Sequence, residues 1–336
     1  MTNNEIYRKS YKDLSSKDLY GPVDVSKLGS LPGLGTAGLG ITYNRNLSEL
    51  KKYDIKSSII NDNFDPDTGC TFLGIRFPMP ILPSPMSGIE TNLSNTINEY
   101  DFIEKLFKNC SKFNTLGLCG DSNDSTNHYI VPELVKKYNG IATCKPRKND
   151  EIIERIRKLE ASGVSAIGLD LDGLGGVNLF KNKKVFLKSK EDLKLIRSKI
   201  HVPAFLKGIM SVEDAKIAHE LGYDGVIISN HGGRSVDYLP STLEVLKAVA
   251  KELKGKISIG VDGGVFSGYD AFIYLANGAD MVFSGRAFLY SIIDENDDSV
   301  YNLLNQFQME LKKIMLFTNC RKTGDIDERK LYKRDN

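Results

Sequence analysis

A histidine followed three positions later by an arginine can take a proton from a hydroxyl group while a neighbouring carboxylate is held in place. The run Ser229-Asn230-His231-Gly232-Gly233-Arg234 has that form. Histidine is the side chain whose ordinary titration range suits a general base, and the planar fork of Arg234 suits a carboxylate. A histidine that merely caps a loop is the plainer alternative, and the arginine at that spacing argues against it. Lys207, in Leu206-Lys207-Gly208, closes an apolar run. It either snorkels to solvent or stabilises negative charge that develops on a group bound at the strand end.

Glycine-containing turns occur at Asp262-Gly263-Gly264 and Ser284-Gly285-Arg286. Glycines let backbone N–H groups approach an anion, so Gly263, Gly264, Gly285 and Arg286 together read as a phosphate site, whereas a lone Gly-Gly reads only as a turn. A further polar pair stands at Asp170-Leu171-Asp172. It could be taken for a metal pair, but alternate strand residues face opposite sides and no further ligands accompany it, so no metal is expected.

All of these residues close short apolar runs, and the elements that must position them follow from that. Strands are expected at 79–84, 114–118, 140–143, 166–171, 203–207, 225–229, 257–261 and 281–284, separated by amphipathic helices such as 150–161, 191–198, 212–221 and 243–253. Eight strand–helix units in one series, with no glycine-rich dinucleotide fingerprint after the first strand, favour an α/β (β/α)8 TIM barrel over an open doubly wound sheet. In a barrel the carboxyl ends of the strands form the active-site mouth. Residues 1–75, with a glycine-rich stretch at 29–40 and then Asn44-Arg45-Asn46, are read as an N-terminal cap. Residues 76–320 are read as the barrel with its last helix at 297–313, and residues 321–336 as a charged, solvated tail, all within one structural domain.

Composition narrows the function classes. Forty-five Lys and Arg balance 43 Asp and Glu, which supplies no general attraction for nucleic acid or an anionic membrane. Five scattered cysteines lack the short paired spacing of a zinc or redox site and suit free thiols in a reducing compartment. No apolar run approaches the ~18 residues that span a bilayer, and residues 1–12 are polar, so a cytoplasmic protein is expected.

The run 229–234, preceded by Leu206-Lys207-Gly208 and followed by Asp262-Gly263-Gly264 and Ser284-Gly285-Arg286, resembles the FMN-dependent α-hydroxy acid oxidases and dehydrogenases. The similarity is dense from 203 to 289 and thinner back to Asn44-Arg45-Asn46 and Phe72-Leu73-Gly74. It implies FMN as cofactor and oxidation of a small L-2-hydroxy acid to the 2-oxo acid. It also implies an electron acceptor, which could be a partner protein, and a homo-oligomer, a tetramer by resemblance.

The roles it implies are His231 as base, Asp172 orienting and charging it, Lys207 beside the flavin N1 and C2 carbonyl, and Arg234 on the substrate carboxylate. Ser229, Pro85, Met86, Asp170 and Asp262 join Lys207, His231 and the phosphate residues as cofactor contacts.

The chain also departs from that pattern. Counting back from Asp172 puts Cys144 where a substrate-binding tyrosine is expected, and no tyrosine stands near Ser30. A second arginine is missing from 173–179, and Phe266 replaces an arginine after the Asp-Gly-Gly turn. Lys145 is a candidate replacement for the lost cationic contact, against the plainer reading of a solvated lysine before a turn proline. Cys144 is read as a packing residue in preference to a redox thiol. Two other readings remain: an FMN-dependent barrel isomerase, and a non-catalytic flavin-binding redox sensor.

Overall fold

The computed structural model describes residues 36–89, 97–121, 127–175 and 183–334. Ser30, the rest of 29–35, residues 1–12 and residues 176–179 lie outside the described residues.

Eight parallel strands make one sheet: β1 (Ile81–Pro83), β2 (Gly117–Cys119), β3 (Gly140–Cys144), β4 (Ala166–Asp170), β5 (Ala204–Ile209), β6 (Gly225–Ile228), β7 (Ser258–Val261) and β8 (Met281–Ser284). From β2 to β8 each strand pairs with the next, and β8 pairs with β1. The remaining seam is bridged just past the strand ends, where Gly120 N–H donates to the Met86 carbonyl at 3.1 Å. The helices are α1 (Ile41–Leu50), α2 (Glu99–Lys112), α3 (Asn127–Tyr138), α4 (Asn149–Ala161), α5 (Lys190–Arg197), α6 (Val212–Glu220), α7 (Thr242–Leu253), α8 (Gly268–Ala276), α9 (Arg286–Ile293) and α10 (Ser299–Phe317).

Local chemistry starts these helices where they start. Ser189, Ser211, Ser241 and Ser267 each accept a hydrogen bond from the backbone N–H three residues on, and the first and third of these complete reciprocal capping boxes with Asp192 and Glu244. Each helix then buries an apolar stripe, such as Ile152, Ile156 and Leu159 of α4 or Leu243, Leu246, Val249 and Leu253 of α7.

Inside the barrel the strand period of two separates layers. Leu82, Leu118, Ile141, Phe205, Ile227 and Phe283 share one apolar cluster with Phe72, Leu73 and Phe77. The last three come from the antiparallel hairpin Cys70–Phe72 and Ile75–Phe77. Leu73 N–H donates to Ser258 Oγ at the start of β7, so the hairpin plugs the amino ends of the strands. Two residues further along β5, β6 and β8 from Phe205, Ile227 and Phe283 come Lys207, Ser229 and Gly285. Alternation therefore lifts the Lys207 and Ser229 side chains, and the backbone at Gly285, into the layer above the apolar one.

The charged end of the chain is not a free solvated tail. Strand Leu331–Lys333 pairs antiparallel with Tyr53–Ile55, and Arg334 forms an ion pair with Asp54. Ile326 is buried. Short stretches of β-forming residues on both partners, 276 positions apart in the Tyr332–Lys56 region, have no local signal in the chain that announces them.

Candidate active site

β4 ends on Asp170, and β5 places Lys207 opposite it in register. Lys207 is 2 % exposed, and its ammonium donates to Asp170 Oδ1 at 3.0 Å and to both Asp172 oxygens at 3.2 Å. Asp172 reaches this point because the chain leaves β4 in a tight 3₁₀ turn, Leu171–Gly175, and folds back over β5. Gly208 makes the approach possible: at φ +94 its missing Cβ would stand 2.6 Å from Asp172 N. The two carboxylates thus converge instead of facing opposite sides. Asp170, Asp172 and His231 bring ligand atoms within 4.8 Å of one another, but the Lys207 ammonium lies on both carboxylates.

Electrostatics follow from that packing. Burial disfavours charge on Asp170, yet the ammonium groups of Lys207 and Lys145 outweigh it and hold the carboxyl well below its ordinary range. Burial opposes charge on Lys207, and Asp170, Asp172 and Asp262 reverse it and raise the ammonium above its ordinary value. Asp262 keeps the sign of its burial and is raised, with Lys207 only partly compensating.

After β6, Ser229 Oγ donates to Asp262 Oδ2 at 2.8 Å and accepts from His231 N–H at 3.1 Å. His231 Nδ1 stands 3.1 Å from Asp172 Oδ2, an ion-pair distance whose angle does not meet that of a hydrogen bond. The backbone here is unusual. His231, Gly232 and Gly233 have φ of 56, 62 and 78, so a non-glycine residue occupies the left-handed region that strains an L side chain.

A cleft opens on this layer. Pro85, Met86, Lys145, Asp170, Lys207, His231, Arg234, Asp262, Gly263, Gly264, Gly285 and Arg286 all line it, so nearly every residue singled out from the sequence meets there. Ser229 and Asp172 stand behind His231 and Lys207. Phe266 and Leu289 add an apolar wall.

Lys145 is not a solvated turn lysine. Its ammonium donates to Asp170 Oδ2 at 3.0 Å. Cys144 is turned the other way, into the cluster between strands and helices, and burial pushes its thiol up to about 12. Strand alternation separates the two, so Lys145 and not Cys144 stands at the inward position beyond β3.

At the far end, Arg286 begins α9. Its guanidinium stacks 4.5 Å from the Tyr43 ring centroid and donates to the Gly232 carbonyl at 3.1 Å, and burial lowers its pKa. The first turn of α9 has neither a side-chain cap nor an acidic residue. With Gly263 and Gly264 at φ +108 and +73, this corner offers N–H groups and a buried cation to an anion. Asp262 Oδ1 is buried without a hydrogen-bond partner among the described residues. A phosphate on a hydroxyl-bearing chain fits such a corner, and FMN carries both.

Sequence reasoning gave no role to several residues that hold this layer. Asn46 and Asn230 exchange hydrogen bonds at 2.9 Å in both directions. Asp237 accepts from Leu39 N–H and Thr42 N–H, each at 2.8 Å, and so caps α1 from another part of the chain. Neither carries a local signal, since the partners lie more than 180 positions apart.

Comparison with known proteins agrees with this geometry. The family profile described as FMN-dependent dehydrogenase matches residues 34–188 and 175–333. 2-Hydroxyacid oxidase 2 of Mus musculus is 27 % identical over 323 residues, which span 87 % of this chain and 90 % of that protein. The L-lactate dehydrogenase of Vibrio cholerae serotype O1 is 38 % identical over 146 residues, 44 % of this chain and 39 % of that one. Among solved structures, mandelate oxidase superposes with a TM-score of 0.81 at 20 % identity, covering 99 % and 98 % of the two chains. An arginine-to-lysine mutant of flavocytochrome b2 gives 0.78 at 22 %, covering 98 % and 91 %. At such identities the superpositions speak for the (β/α)8 barrel.

Proposed function

Since the chain belongs to the family of FMN-dependent dehydrogenases, we propose that it oxidises a small L-2-hydroxy acid to the 2-oxo acid with His231 as base. The observation that carries this is the convergence of His231, Asp172 and Lys207 at one end of a cleft whose other end suits a phosphate.

FMN, when bound, would supply the acceptor for the α-hydrogen and the two electrons that leave the substrate with it. Gly263, Gly264, Gly285 and Arg286 would hold its phosphate. Lys207, Ser229, Asp170 and Asp262 would meet its polar edge, and Pro85 and Met86 the remaining wall. Arg234 holds the substrate carboxylate through its planar fork, with Lys145 as a second cationic contact. His231 takes the proton of the substrate hydroxyl on the nitrogen turned away from Asp172. The Asp172 carboxylate behind it stabilises the imidazolium that results.

No helix among the described residues is long and apolar enough to cross a membrane. All five cysteines are free thiols, which supports a reducing, cytoplasmic setting. The family resemblance supports a homo-oligomer and an electron acceptor that could be a protein.

Anaerobic titration of the flavin-loaded protein with a panel of 2-hydroxy acids tests the reading. Bleaching of the oxidised flavin band by one of them is expected, and in His231→Gln the rate of bleaching should fall by about 10²–10⁴ with the flavin retained. Undiminished bleaching in that variant would remove His231 as base; bound flavin that no hydroxy acid reduces would remove the substrate class.

A further inference from the structure

We infer that Asn46 is a positioning residue that ties the His231 loop and the glycine turn after β7 to one buried point on α1. This rests on His231 as the base, and it adds a role for the N-terminal segment.

Asn46 and Asn230 are both fully buried. Their side chains exchange two hydrogen bonds of 2.9 Å, and Asn230 immediately precedes His231. Asn46 Oδ1 also accepts from Thr242 N–H at 3.1 Å. Thr242 in turn donates its hydroxyl to the Asp262 carbonyl at 2.6 Å, and Tyr274 donates to the Gly263 carbonyl at 2.7 Å. The contact with the turn is also steric. A Cβ on Gly263 would stand 2.9 Å from Asn46 Nδ2 and 2.8 Å from Thr242 Oγ1.

One amide therefore has two branches: one through Asn230 to the base, one through Thr242 to the turn that faces the phosphate corner. The base branch has a strained target. Three successive left-handed residues, 231 to 233, do not hold their shape by local preference. They are clamped from outside, by Ala37 N–H on the Gly233 carbonyl at 2.7 Å, by Arg286 on the Gly232 carbonyl at 3.1 Å, and by Asn46 at Asn230. A buried polar group left unpaired is costly, so the loop is held where these bonds can all be made.

The two branches can be separated in the holoenzyme. Asn46→Leu keeps the volume and deletes the amide. It should lower kcat per bound flavin by about tenfold to a hundredfold, with KM for the hydroxy acid changed less than kcat because the amide pair grips the loop at Asn230, next to His231 and four positions before Arg234. Thr242→Val keeps the Asn46–Asn230 pair and removes the hydroxyl from the Asp262 carbonyl. It should weaken FMN binding, read by flavin fluorescence, by about tenfold and leave kcat per bound flavin near that of the parent.

Should Asn46→Leu fail to fold, Asn46→Ser, neutral and too short to reach Asn230, removes the pair without burying a charge and reads the base branch in the same way. A loss of thermal stability with kcat per bound flavin unchanged in the Asn46 variant overturns the base branch, and unchanged FMN affinity in Thr242→Val overturns the cofactor branch. Retained turnover in His231→Gln would instead overturn the assignment of the base.

Discussion

Replacing Lys207 by Met keeps the length of the side chain and removes the one ammonium that touches both Asp170 and Asp172. Three contacts of 3.0–3.2 Å are lost, and Asp262, 3.9 Å away, loses its nearest cation as well. Breaking a buried ion pair from one side costs about 3–5 kcal/mol, because the partner is left charged and desolvated. With an unfolding entropy of about 2 cal/mol/K per residue over a chain of this length, that is a drop of roughly 4–7 °C in Tm.

The pH dependence gives the reasoning its sharper test. The folded pKa of Lys207 is raised, so its contribution is fully present below 10.5 and is lost as pH rises through the folded value. That of Asp170 is depressed, so its contribution is present above 3.8 and is lost as pH falls through the folded value. Both are in force throughout the neutral range. In Lys207→Met, burial acts on Asp170 and Asp262 with much less opposition and pushes both carboxyls up, so protonation relieves the variant as pH falls. Thermal unfolding followed by circular dichroism at about pH 7.5 and about pH 5 should give a Tm deficit that is clearly smaller at the lower pH. An equal deficit at both values, or none at the higher, would refute the account of Lys207 as counter-charge.

Glycine positions separate steric necessity from backbone strain. Gly233→Ala places a Cβ 2.7 Å from the backbone nitrogen of Tyr43 at φ +78, whereas Gly74→Ala at φ +75 meets nothing within 4 Å. The second should cost about 1 kcal/mol in denaturant unfolding and leave turnover intact, and the first should cost more and reduce turnover with it; equal effects would mean that α1 does not press on the loop. Asp237→Ala removes the cap that α1 receives in place of a side chain at its own Gly40. Partial burial opposes charge on Asp237, but backbone N–H groups outweigh it and bring its pKa down to about 2. The loss should be about 1 kcal/mol above pH 3.8 and should shrink as pH falls towards 2, measured as the stability difference between the two proteins.

The barrel was legible because parallel strands buried on both faces read as short apolar runs, and the polar residues that end them are adjacent in sequence to those runs. Residues 281–284 and the helix at 243–253 come within one residue of their observed bounds for this reason. The same continuity of apolar residues hides parity. In Gly140-Ile141-Ala142-Thr143-Cys144-Lys145 nothing alternates in hydrophobicity, so counting back from Asp172 put Cys144 in register with an expected substrate tyrosine, while the residues themselves read as a packing cysteine and a candidate cationic contact at Lys145. The structure turns Cys144 to the helix layer, as a packing residue, and stands Lys145 on the cleft against Asp170. Likewise Asp170 and Asp172 are two apart, and only the 3₁₀ turn at Leu171–Gly175 brings them to the same ammonium.

What the sequence could not express is why His231 stands where it does. The motif names the proposed base and the two glycines after it, and the glycines alone would leave the loop free to take other shapes, since glycine visits many. The shape is imposed by partners distant in the chain: Ala37 and Asn46, more than 180 positions before the loop, and Arg286, 54 positions after Gly232. Of these, Arg286 also faces the phosphate corner, and Asn46 underlies the turn that completes it. The groups that would hold the cofactor and the groups that hold the base are thus partly the same groups. A change that loosens one end of the cleft should be felt at the other, even though no substrate atom spans the distance.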